Sequence, residues 1–218
     1  STPRFVQPIS DFFSSLLVVC SIYWTGTYEP ASLALWLKLL AQPGAVLDLG
    51  GYTGLYSLAA ASTNPECVVH AFEPLPRNAE RFRANIEANA FSNVCLFPHA
   101  VGERDGDTVF NIFNDGDFLT SGGSVMPRRQ KAPAMSYPVR LVSIDRHVRD
   151  AGFARVALIK IDVEGAEVPA LRGMSNLLDR DGPDLLLEVL DGADGIQLTS
   201  FLSAKGYRFF RINEKSGA

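Results

Sequence analysis

The chain has 218 residues, with 24 acidic against 20 basic side chains and a net charge of −4. That length suits one sizeable domain and is short for two. The mild negative charge gives no whole-chain attraction to nucleic acid or an anionic membrane, and a chain 47% apolar and 20% charged is globular rather than disordered.

Residues 12–24 are largely apolar but are interrupted by Ser14, Ser15 and Ser21. The run is shorter than the roughly 20 residues a bilayer span needs. It lacks a basic leader, so a buried first element is expected rather than a signal peptide. Leu33, Trp36, Leu37 and Leu40 follow at helical spacing and read as the core face of an N-terminal helix. Three widely spaced cysteines, Cys20, Cys67 and Cys95, fit neither a disulfide framework nor a zinc ribbon. With no N-x-S/T site either, a cytoplasmic location is the default expectation.

Residues 46–54 read VLDLGGYTG. A short apolar run ending in Asp48 and then Gly50, Gly51 and Gly54 describes a buried strand, a tight turn and the start of a helix. Residues 53–62 read as that helix, 67–72 as a strand ending at Glu73-Pro74, 76–90 as a helix and 94–97 as a strand. Asp105-Gly106 is a hairpin signal before a strand at 108–113. Residues 114–138 are rich in Gly, Pro and Ser and read as a long loop. Strands at 139–144 and 155–161, a helix at 168–178, a strand at 184–189, a helix at 195–205 and a last strand at 207–212 complete the pattern. Apolar strands alternating with helices imply β-α-β units, a mostly parallel sheet and an α/β fold. The expected organisation is one domain over 1–218. Residues 1–44 form N-terminal helices and 45–218 the core, with 114–138 as a lid.

In such a sheet, ligands bind beyond the carboxyl ends of the strands. A dinucleotide turn needs G-x-G-x-x-G, and its first glycine would fall at Leu49. That spacing argues against a pyrophosphate ligand. Glu73, an acid ending the second strand, can accept hydrogen bonds from both hydroxyls of a ribose, or can cap the helix at Pro74. Asp48 can order the turn and reach a ligand amino group, or serve the turn alone.

The turn resembles the first motif of class I S-adenosylmethionine-dependent methyltransferases. The succession VLDLGGYTG, HAFEPLPRNAERFRANIEAN, AVGERDG, SIDRHV and IKIDVEGAEVPALRGM narrows the resemblance to the FkbM-type family, over about residues 26–190. It implies a Rossmann-like sandwich with six to seven strands and transfer of a methyl group from S-adenosyl-L-methionine. The acceptor would be a hydroxyl on a small molecule, sugar, polyketide or glycan-linked group. Carried over by residue, Gly50, Gly51, Tyr52 and Gly54 would cradle the methionine part and Glu73 the ribose. Pro74, Leu75, Ala100 and Val101 would flank the adenine. Asp162 and Glu164 would face the methyl group and the acceptor, and Glu29 in GTYEP would touch the methionine end.

A hydroxyl acceptor must lose its proton, so a base is sought among Asp162, Glu164 and His99 at strand ends. Asp162 can instead cap the following helix at Gly165. Asp162 and Glu188 end neighbouring strands, but two carboxylates are too few for a divalent-cation site, which is allowed and not favoured. His70, His99 and His147 lack zinc spacing. In the lid, Ser121-Gly122-Gly123-Ser124 and Arg128-Arg129 either grip an acidic acceptor or are a solvated basic loop. Two alternatives remain at this point, a NAD-dependent oxidoreductase and a non-catalytic S-adenosylmethionine-binding module.

Overall fold

The computed structural model describes residues 28–113, 123–126, 132–189 and 193–214. Its strands, in chain order, are β1 (Ala45–Leu49), β2 (Val69–Phe72), β3 (Val94–Phe97), β4 (His99–Val101), β5 (Gly106–Ile112), β6 (Gly123–Ser124), β7 (Met135–Val142), β8 (Val156–Ile161) and β9 (Asp184–Leu187). Its helices are α1 (Pro30–Leu39), α2 (Leu55–Thr63), α3 (Pro76–Ala88), α4 (Ile144–Ala151), α5 (Glu167–Arg172), α6 (Ser175–Asp181) and α7 (Ala193–Ala204).

Five strands form a parallel sheet in the order β3-β2-β1-β8-β9. Every residue of β1 and β8 is buried, as expected of parallel strands covered on both faces. Side chains alternate between two cores. Leu47, Leu49, Phe72, Ile159 and Ile161 pack toward Val148 of α4, Leu171 of α5, Leu177 of α6 and Leu198 of α7. Val46, Val69, Ala71 and Leu158 pack toward Trp36 of α1, Ala60 of α2 and Phe82 of α3. The strand order runs outward in both directions from the β1–β8 pair. This reversal opens a crevice at their carboxyl ends, the position at which doubly wound sheets bind ligands.

The remaining strands form a second sheet, β4-β7-β5-β6. Pro98 separates β3 from β4, and a residue that cannot donate to a ladder suits this change of sheet. Several expectations are corrected here. The central sheet has five strands among the described residues, not six or seven. The expected loop at 114–138 is in part sheet, because Gly123–Ser124 pairs with β5 and β7 already begins at Met135. The expected strand at 139–144 ends at Val142, and a helix, α4, starts at Ile144. The expected helix at 168–178 is two, α5 and α6, broken at Gly173-Met174. A Cβ on Gly173 would lie 2.0 Å from the Gly102 carbonyl oxygen, so this crossing admits glycine alone. Residues 207–212 are not a strand. Phe210 is 84% exposed there, although the tail is anchored by Tyr207 Oη donating to the Pro183 carbonyl at 3.1 Å. The expected element at 12–24 lies outside the described residues, as do Ser121, Gly122, Arg128 and Arg129.

Candidate active site

The turn after β1 is held by two neighbours. The N–H groups of Gly50 and Gly51 both donate to the Phe72 carbonyl, at 3.0 and 2.9 Å, and Asp162 N–H donates to the Leu49 carbonyl at 2.9 Å. Gly50 has φ +85°, and a Cβ there would lie 1.8 Å from the Asp162 carbonyl oxygen. Gly51 and Gly54 serve another contact. A Cβ at either would fall 2.6 or 2.3 Å from the ring of Phe82, which is fully buried on α3. The glycines thus bring strand ends and helix together, and Gly50 and Tyr52 are left lining a cleft.

Glu73 stands across this turn, 5% exposed. One carboxylate oxygen accepts Tyr52 N–H at 2.9 Å. The other accepts Leu75 N–H at 2.9 Å and Asn78 Nδ2 at 3.3 Å. Burial pushes its pKa up to about 7, against these three donors, which favour the anion. Asn78 was not singled out from the sequence. Its signal was a polar amide in the first turn of a helix that starts at Pro76.

A second polar cluster lies on the other side of the turn. Lys160, in the middle of buried β8 and 8% exposed, places Nζ 2.8 Å from Asp162 Oδ2. It stands in register with Asp48 on β1, and its Nζ lies 5.1 Å above the ring of Tyr56. Tyr56 Oη in turn donates to Glu29 Oε2 at 2.7 Å. Burial pulls the Lys160 pKa down, but the carboxylates of Asp162 and Asp48 outweigh it and hold the ammonium above its ordinary value. Burial raises the pKa of Asp162, but Lys160 and a hydrogen bond with Glu188 hold it below the usual carboxylate range. Glu188 is pushed up, first by that shared hydrogen bond and then by burial. The cation beside Asp162 is therefore the chain's own. Among the described residues, no group of three or more His, Cys, Asp or Glu side chains is arranged to hold a metal ion. Lys160 was missed in the sequence, although a lysine inside IKI, two residues before an acid, carries the signal.

The cleft brings most of the expected residues together. Gly50, Tyr52, Glu73, Pro74, His99, Ala100, Val101, Asp162 and Glu164 all line it. The second sheet adds Phe110 and Val125, which the sequence reading did not name. Burial and Arg140 opposite it hold the His99 imidazole pKa below its ordinary value. Five expected residues do not line the cleft. Asp48 is 1% exposed, and its Oδ2 accepts Ser57 Oγ at 2.6 Å beneath the turn. Gly51 and Gly54 face Phe82, Leu75 is fully buried in the core, and Glu29 sits behind Tyr56. Gly165 N–H donates to Glu167 Oε1 at 3.0 Å, and α5, which starts at Glu167, has no side-chain cap at its N-terminus, so Asp162 is not its cap. His70 and His147 pair at 2.8 Å in an aromatic cluster with Phe72, Phe97 and Phe153, where they pack rather than bind.

Among the described residues, four that are not glycine have a left-handed backbone, and three of them belong to this region: Glu29 (φ 47°), Tyr52 (φ 50°) and Glu164 (φ 54°). Such conformations cost about 1–3 kcal/mol each and persist where the surroundings impose them.

The sequence from residue 48 to 209 matches the profile of the Methyltransferase FkbM domain. Among curated proteins, the chain is 29% identical over 190 residues to the AMB antimetabolite synthetase AmbE of Pseudomonas aeruginosa. That alignment covers 72% of this chain and 9% of AmbE. It is 29% identical over 155 residues to the 2-O-methyltransferase NoeI of Sinorhizobium fredii, covering 66% of this chain and 63% of NoeI. The chain therefore spans under a tenth of the first relative and just under two thirds of the second. Among solved structures, precorrin-6y C5,15-methyltransferase from Geobacter metallireducens aligns at 15% identity with a TM-score of 0.49, over 81% of this chain and 71% of that one. No helix among the described residues is long and apolar enough to cross a membrane.

Proposed function

Because the chain belongs to the FkbM methyltransferase family, we propose that it transfers a methyl group from S-adenosylmethionine to a hydroxyl of a sugar, polyketide or other small acceptor. The observation that carries this reading is Glu73. A buried carboxylate at the end of β2, held by backbone N–H groups and bordering the cleft, is built to take hydroxyl donors. The residues fit the donor in two further ways. Gly50 keeps the β1 turn free of a side chain where the cleft begins. Pro74, Ala100 and Val101 provide an apolar slot beside Glu73 for an adenine. A dinucleotide is disfavoured because Leu49 stands where its first glycine would be.

When bound, the donor supplies an electrophilic methyl carbon on a sulfonium sulfur. The protein's part is to hold an acceptor oxygen in line and to keep water out, and such positioning supplies much of the acceleration. Asp162 and Glu164 line the acceptor side of the cleft, and Asp162 accepts the acceptor's proton. The 2-O-methyltransferase name of NoeI supports a hydroxyl acceptor. Titration calorimetry with S-adenosylhomocysteine and with NAD tests the reading. Heat with the former alone is expected. The absence of heat with S-adenosylhomocysteine, from a folded protein, overturns it.

A further inference from the structure

Lys160 sits where an apolar residue would be expected. It occupies the middle of a strand with six buried residues, and removing an ammonium from water is costly unless it is paired. Its surroundings supply the pairing from every side. Asp162 lies 2.8 Å away at the end of its own strand, and Asp48 faces it from β1. The ring of Tyr56 lies beneath it from α2, with Glu29 behind that hydroxyl. Tyr28, Glu73 and Glu188 are the other titratable groups whose charge couples to Asp162. Asp162 and Lys160 are two residues apart on one strand, so their side chains share a face. Asp162 lines the cleft, whereas Lys160 does not.

We propose that Lys160 is a positioning residue, whose ammonium fixes the Asp162 carboxylate, as an anion, at the acceptor side of the cleft. This inference rests on the methyl-transfer reading. In that reaction the acceptor oxygen forms the C–O bond, the electron pair of the C–S bond goes to sulfur, and the O–H proton passes to Asp162. An oxygen that has just gained a methyl group is strongly acidic, so a weakly basic carboxylate is enough to receive its proton. What the step needs from Asp162 is a fixed place and a negative charge. A buried ammonium held by a second carboxylate and a ring provides both. Glu188, exposed at the end of β9 and hydrogen-bonded to Asp162, gives the proton a way out to solvent.

The test uses the whole chain without an acceptor. The Asp162 carboxyl carbon is followed by NMR over a pH series in the wild type, Lys160→Met and Lys160→Arg, with Asp162→Asn and Glu188→Gln to assign the signals. In Lys160→Met the proton affinity of Asp162 should rise at least about tenfold, and Lys160→Arg should restore most of the difference. S-adenosylhomocysteine affinity, measured in parallel, should stay within about threefold, since Lys160 does not border the cleft. An unchanged Asp162 titration in Lys160→Met overturns the inference while leaving the donor reading intact. Loss of S-adenosylhomocysteine binding in the wild type overturns the donor reading instead. If Lys160→Met fails to fold, Lys160→Gln, which keeps a hydrogen-bond donor without the charge, is measured in its place, with the same two outcomes.

Discussion

The carbonyl oxygen of Asp162 occupies the space that a side chain on Gly50 would need, with 1.8 Å between that oxygen and an added Cβ. The two strand ends that build the cleft are thus fitted to each other at one point. Gly50→Ala should lose about 3 kcal/mol or more of stability, from a left-handed φ together with a backbone clash. Chemical denaturation measures this, and binding of S-adenosylhomocysteine should disappear with it. A variant with wild-type stability would show that the turn can move away from β8.

Glu73 should make donor binding depend on pH. Its pKa is raised to about 7, and only the carboxylate can accept from two hydroxyls without offering a competing proton. Above pH 7 the anion is already present and affinity is flat. Below it a proton must leave before the ligand is held, so affinity should fall about tenfold for each further pH unit. Calorimetry at pH 6 in buffers of different ionisation enthalpy should show proton release on binding. Glu73→Gln should bind weakly and lose the pH dependence.

Asp162→Asn separates the two halves of the cleft. The Asn side chain keeps the shape but cannot take a proton. Methyl transfer should drop by about a hundredfold or more, within the usual range for loss of a general base, while S-adenosylhomocysteine affinity changes little. Equal losses in both would place Asp162 on the donor side.

Gly123 and Phe110 tie the second sheet to the cleft. A Cβ at Gly123 would lie 2.3 Å from the Phe110 ring, which lines the cleft beside Pro74 and Ala100. Gly123→Ala should push the ring inward, and Phe110→Ala should remove an aromatic face. Each should weaken S-adenosylhomocysteine roughly three- to tenfold, the size of one aromatic contact, with folding retained. If both leave the affinity unchanged, Phe110 belongs to the acceptor's part of the cleft.

Trp36 supports the polar cluster from behind. It is fully buried, donates from Nε1 to the Tyr56 carbonyl at 3.0 Å and packs edge-on against the Tyr56 ring. Trp36→Phe should cost about 1–3 kcal/mol, from the lost Nε1 hydrogen bond and the space a smaller ring leaves in the core, and thermal denaturation measures it.

The parts legible in the sequence were those dictated by burial on both faces. Runs such as VALIKI and AVLDL are apolar apart from Lys160 and Asp48 and present no polar face to solvent, and the glycines after β1 marked the turn. The second sheet was not legible. β7 is half exposed, and Pro138 interrupts it in a stretch whose composition suggests a loop. Helix α4 buries Ile144 and Val148, four residues apart among charged neighbours, a helical spacing hidden by reading Ile144 as the end of the preceding strand. The YRFFRI segment carries strand-forming residues, yet Phe209 and Phe210 are exposed and pair with no strand among the described residues. A side chain's alternation along a strand says which face it takes, but a partner strand decides whether a strand forms. At the site, the strand ends named from the sequence include Glu73 and Asp162, and both line the cleft. Asp48 could be read either as reaching a ligand amino group or as serving the turn alone, and nothing in the sequence reveals that Ser57, in the first turn of α2, donates to its carboxylate.

The left-handed residues at the cleft have a practical consequence for anyone improving this protein. Tyr52 and Glu164 hold a backbone shape that Gly or Asn adopts more readily. Selection for heat resistance alone should therefore favour exchanges at these two positions, each stabilising by up to about 1 kcal/mol. Such a selection would erode the cleft before it touched the core, and thermostable survivors should be screened for ligand binding before any are kept.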